Sequence, residues 1–162
     1  LALKLKAIFK QKVIKLQKKK GRMIKVSDNY YVSSQISEED LDYFKNEGFD
    51  LIVCNRPNGE EENQVDFELI QKRCELIGIA FINLPMIPGD LQSDLILETK
   101  KILDKKQKTL AYCRTGTRCI NLWACANVFK ENVDETIRIA ADAGYELDHL
   151  RPLLVSIHST AS

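Results

Sequence analysis

The stretch TLAYCRTGTRCINLWACANVF, residues 109–129, decides the fold. Thr109–Tyr112 is a short apolar run that reads as a buried strand, and Ile120–Phe129 reads as an apolar helix. Between them lies a loop of small and basic residues. A cysteine therefore closes a strand and an arginine opens a helix. Amides of such a loop turn inward as an anion-binding nest, and the helix N-terminus adds partial positive charge. Both favour a thiolate over a thiol. Cys113 is thus the candidate nucleophile, and Arg118 the candidate two-pronged clamp for an anionic substrate. Thr115, Gly116 and Thr117 offer loop amides, and glycine lets the loop curl. Arg114 either points to solvent or contacts a second anionic group. Cys119 is either a second thiol that resolves a modified Cys113 or a small packing residue at the helix start.

Outward from this stretch, strand and helix signals alternate. Ile24–Val26 and Tyr30–Ser33 read as strands around an Asp28-Asn29 turn. Ser37 is an N-cap followed by Glu38, Glu39 and Asp40, and Gly48 stops that helix. Strands are expected over 50–54 and 79–84, and helices over 65–76, 91–103, 133–143 and 147–157. This order predicts an α/β fold, a mostly parallel sheet of about five strands flanked by helices. Ligands of such sheets sit at the carboxyl ends of the strands. Three loops leave those ends, 55–63, 85–91 and 113–118, and neighbouring strands would bring them together around Cys113. On the first loop, Arg56 and Glu60 are expected to buttress the cysteine loop, with substrate binding by Asn55, Arg56 or Glu60 as the alternative. On the second, Asp90 is either a general acid or a helix N-cap.

Composition narrows the chemistry. Five cysteines in 162 residues do not suggest a disulfide framework, and a reducing cytoplasm fits better. The two histidines, His149 and His158, lie outside all three loops. A Cys–His pair, a metal site and a cofactor are therefore not expected. The first 25 residues hold ten of the 24 Lys and Arg and none of the 23 Asp and Glu, so the remainder is acidic by nine. An acidic body argues against nucleic acid as partner. Residues 1–22 form a basic, helix-spaced extension, which either lies on an anionic membrane surface or has no role in the fold. Residues 23–162 then form a single domain. No secretory signal or membrane-spanning run is expected.

The stretches YVSSQIS (31–37), CNRPNGEE (54–61), LPMIPGD (84–90), LAYCRTGTRCINLWA (110–124) and AGYELDHLRPLL (143–154) resemble the bacterial beta-lactamase hydrolase-like, phosphatase-like domain family, a family also described as sulfur transferases. The resemblance implies a protein tyrosine phosphatase-like fold, with a thiolate at Cys113 and Arg118 as its partner. Some relatives are fused to a persulfide dioxygenase, which here would have to act in trans. The loop departs from tyrosine phosphatases in three ways. Tyr112 replaces a histidine, four residues rather than five separate Cys113 from Arg118, and Cys119 replaces a hydroxyl residue. The spacing is similar to that of single-domain rhodaneses. These departures favour transfer of sulfane sulfur through a Cys113 persulfide, with a small anionic sulfur compound as substrate. The alternatives are phosphate monoester hydrolysis through a phosphocysteine and a non-enzymatic redox or anion-sensing module.

Overall fold

The computed structural model describes residues 1–20 and 23–162, with side chains for 1–11 and 23–162. In chain order the elements are α1 (Ala2–Lys20), β1 (Met23–Lys25), β2 (Tyr30–Ser33), α2 (Glu38–Asn46), β3 (Leu51–Cys54), α3 (Phe67–Ile77), β4 (Ala80–Asn83), α4 (Ser93–Asp104), β5 (Thr109–Tyr112), α5 (Thr117–Asn127), α6 (Val133–Asp142), a 3-10 turn (Asp148–Leu150) and α7 (Arg151–Ala161). The sheet order is β1-β2-β5-β3-β4, which puts β5 in the middle. The β1–β2 pair is antiparallel and every other pair is parallel. This is the expected crossover architecture.

Alternation along β3 and β5 divides the core into two layers. Leu51, Val53, Ala111 and Cys113 pack with α4, α5, α6 and α7, around Trp123, Leu122 and Leu154. Ile52, Cys54, Leu110 and Tyr112 pack with α2 and α3, around Leu41, Phe44, Ile70 and Cys74. Both faces are covered, so the central strands are buried throughout. Cys54 and Cys113 consequently face opposite layers, and all five cysteines are free and buried. Ser33 and Cys54 are both in register with Tyr112, so β2, β3 and β5 end on one line. The loops after these strands emerge together, immediately above Cys113.

Several boundaries differ from the sequence reading. Helix α5 begins at Thr117, three residues before the apolar run that starts at Ile120, and carries Arg118 and Cys119 in its first turn. Gly116 caps it with a left-handed φ of 87°, a conformation that a β-carbon disfavours. The N-cap of α4 is Gln92, so Asp90 does not cap that helix. The expected helix over 147–157 is a 3-10 turn followed by α7, with Pro152 in the first turn of that helix. Residues 1–11 are exposed, including Leu1, Leu5, Ile8 and Phe9. The expected domain boundary at 22 and 23 touches Gly21 and Arg22, which lie outside the described residues. Among the described residues, no helix is long and apolar enough to cross a membrane.

Candidate active site

Cys113 leaves the end of β5 and its sulfur turns back under the following loop. The Cys113 amide donates to the Ser33 carbonyl at 3.2 Å, which ties the start of the loop to β2. The Gly116 amide donates to Cys113 Sγ at 3.1 Å. The side chain is 1% exposed. Burial alone would raise a thiol pKa, yet this one is lowered to about 5. The largest cause is a hydrogen bond from the Cys119 thiol; the amides of Cys119, Thr115 and Arg118 add to it against the opposing effect of burial. Cys119 is fully buried, and its own pKa is pushed well up, first by burial and then by the neighbouring Cys113. It therefore stays a thiol and donates. A packing position and a chemical one coincide in this residue.

Arg118 is almost buried and already paired. Its Nη1 and Nη2 donate to the two Glu60 carboxylate oxygens at 2.9 and 2.8 Å, and Nη1 also donates to the Met86 carbonyl at 2.9 Å. The loops after β3, β4 and β5 thus meet at one guanidinium, as the topology requires. The Arg118 bonds hold the Glu60 carboxyl below its ordinary range, with Arg56 adding to the effect. Arg56 itself is 1% exposed. It donates to Glu60 at 2.7 Å, to Gln35 at 2.9 Å and to Glu61 at 3.0 Å. Arg56 is thus the inner post on which Glu60 is mounted, and Glu60 in turn aims Arg118. Asn55 serves a similar end, its amide nitrogen donating to the Leu84 carbonyl at 2.9 Å and so joining the β3 and β4 loops. Arg114 is exposed and pairs with Glu61 at 2.9 Å.

Two adjoining cavities open beside Arg118. One, of about 430 Å³, is walled by Glu60, Glu61, Pro88, Arg114 and Arg118. The other, of about 400 Å³, is lined by Met86, Pro88, Leu91, Thr115, Thr117, Arg118, Asn121, His149 and Leu150, among others. Thr115 and Thr117 share a hydroxyl–hydroxyl hydrogen bond of 3.0 Å at its edge. Asp90 is exposed and accepts from Gln92 at 2.8 Å, outside the lining of either cavity. The C-terminal segment supplies two residues that the three-loop reading did not contain. Tyr145 donates to the Thr115 carbonyl at 3.0 Å, and His149 lines the second cavity together with Thr115, Thr117 and Arg118. Gln35, which steadies Arg56, comes from a fourth strand end, that of β2. Isolated side chains such as these carry no local sequence pattern; the register of β2 with β5 was the available signal for Gln35. Among the described residues, no three His, Cys, Asp or Glu side chains gather as a metal site.

The family model for the beta-lactamase hydrolase-like protein, phosphatase-like domain, matches residues 22–129. The chain belongs to this family. A beta-lactamase hydrolase-like protein of Xylella fastidiosa is 25% identical over 129 residues, which are 78% of this chain and 30% of that protein. The chain thus spans under a third of the length of the curated relatives it matches. The crystal structure of a candidate phosphatase from Neisseria meningitidis superposes with a TM-score of 0.71 at 36% identity, covering 83% of this chain and 96% of that one. Tk-PTP in its active form superposes with a TM-score of 0.67 at 14% identity, covering 86% and 97%, and supports the fold alone. Family and fold place the chain among the phosphatase-like domains. The family match ends at residue 129, before Tyr145 and His149.

Proposed function

We propose that the chain hydrolyses phosphate monoesters through a phosphocysteine on Cys113. The observation that carries this reading is the geometry at Cys113, whose buried Sγ accepts the Gly116 amide at 3.1 Å next to Arg118, a setting that lowers the thiol pKa. Such a centre is anionic, nucleophilic at neutral pH and surrounded by donors for phosphoryl oxygens. Cys113 Sγ attacks phosphorus as the P–O bond to the leaving group breaks, and the leaving oxygen takes a proton. Water then attacks the phosphocysteine, the S–P bond breaks, and inorganic phosphate leaves with the thiolate restored. An incoming dianion competes with Glu60 for Arg118, so binding involves exchange or sharing of that ion pair.

The short spacing and the absent hydroxyl favour sulfur transfer on sequence alone, and both features have another account here. Gly116 in the left-handed region lets α5 start early, so a four-residue spacing still directs several amides at the sulfur. The Cys119 thiol fills the donor place of the hydroxyl. The membership of a phosphatase-like family adds to the phosphate reading. Hydrolysis of an aryl phosphate that is blocked by vanadate and lost in Cys113→Ser is the expected result. Turnover surviving in Cys113→Ser, or a sulfur adduct formed on Cys113 in the absence of any phosphatase turnover, would overturn the proposal.

A further inference from the structure

We propose that His149 is the general acid that protonates the leaving oxygen; this rests on the phosphatase reading and extends it. Displacing an alcohol or phenol from phosphate needs a proton at the departing oxygen unless that group is already a good anion. The cavity walls contain few side chains able to give one. Glu60 and Glu61 are ion-paired and held below the ordinary carboxylate range, so they are proton-free. Arg114 and Arg118 do not release protons in proteins. The Thr115 and Thr117 hydroxyls engage one another and are too weakly acidic. Asp90 is turned to solvent with Gln92. His149 is left, and imidazole is the side chain best suited to donate near neutral pH.

Its placement fits that task. His149 occupies the middle of the 3-10 turn Asp148–Leu150, closed by the Leu150 amide donating to the Leu147 carbonyl at 2.9 Å. Leu147 is 1% exposed, which roots the turn in the core, while His149 itself is exposed and lines the cavity. Four residues earlier, Tyr145 grips the Thr115 carbonyl. The same short segment thus holds the nucleophile loop and carries the imidazole to its edge. The same cavity is also lined by Met86, Pro88, Leu91 and Leu150, apolar side chains that the leaving group can contact. Arg118 and His149 line the same cavity, so an ester held at Arg118 shares that space with the imidazole.

Leaving-group dependence isolates this role. The full chain and its His149→Asn variant would be assayed on 4-nitrophenyl phosphate, whose phenolate departs unaided, and on phenyl phosphate, whose phenolate does not. Expected is a loss of roughly 10²–10⁴-fold in kcat on phenyl phosphate, with a far smaller loss on 4-nitrophenyl phosphate. Equal losses on both esters, or none on either, would overturn the role, since a structural defect does not sense the leaving group. An exposed side chain contributes little to folding, and unchanged thermal unfolding checks this; His149→Gln repeats the test with a different amide. A wild-type chain that hydrolyses neither ester overturns the phosphatase reading and this role with it. Cys113-dependent hydrolysis with parallel losses overturns the role alone.

Discussion

Replacing the Cys119 thiol removes the first of the causes that hold Cys113 as a thiolate. The remaining amides would then work alone against burial. Cys119→Ala should therefore move the Cys113 pKa upward from about 5, toward the ordinary thiol value of about 8.5. Cys119→Ser keeps a donor of similar reach and should stay nearer the wild type. The pH dependence of alkylation by iodoacetamide reads this directly. Because the thiolate reacts and the thiol does not, the wild-type rate falls as pH drops through about 5. Coincident midpoints for wild type and Cys119→Ala would show that the Cys119 thiol does not tune the nucleophile. In sequence, Cys113 and Arg118 were legible because strand, loop and helix signals adjoin there. The function of Cys119 was not, since burial against a thiolate is a property of the packed helix.

Helix α5 shows at the scale of an element why a helix start is harder to read than a helix. Its apolar run begins at Ile120, but its first turn, Thr117-Arg118-Cys119, is selected by what the loop must hold. Gly116 makes that start possible, and Tyr145 closes over it. A β-carbon at 116 would collide with the Tyr145 hydroxyl and would also sit at a φ of 87°. Gly116→Ala should thus destabilise by about 1–3 kcal/mol and disrupt the amides around Cys113. Adding Tyr145→Ala should recover part of that loss by removing the collision, while the backbone strain remains. Denaturant unfolding of the single and double variants measures the coupling. If Gly116→Ala costs the same with and without Tyr145, the two do not meet as described. The strands and the Ser37 start of α2 were legible for a simpler reason. Apolar runs, an N-cap serine and stop glycines act locally, whereas the Tyr145–Thr115 bond joins residues thirty apart.

For the whole molecule, the five cysteines link folding to pH in two opposite senses. Cys113 has a folded pKa of about 5, against about 8.5 for an unfolded thiol. Between those values the unfolded chain holds a proton that the folded chain has lost. Stability therefore rises with pH across this window, by up to about 1.4 kcal/mol per unit. It is fully present above the unfolded value and is lost as pH falls through about 5. The other four thiols act the other way. Burial raises Cys54 and Cys119, and raises Cys74 to about 11 and Cys125 to about 12. Above the unfolded thiol pKa these groups keep protons that the unfolded chain releases, so stability declines with further rise in pH. Unfolding free energies of wild type and Cys113→Ser, measured in parallel from pH 6 to pH 10, separate the two contributions. The difference between the proteins should grow in favour of wild type up to about pH 8.5 and then level off, because the four buried thiols are common to both. A difference that does not change with pH would mean that the thiolate is not preformed, and the nucleophile would then need substrate to ionise it.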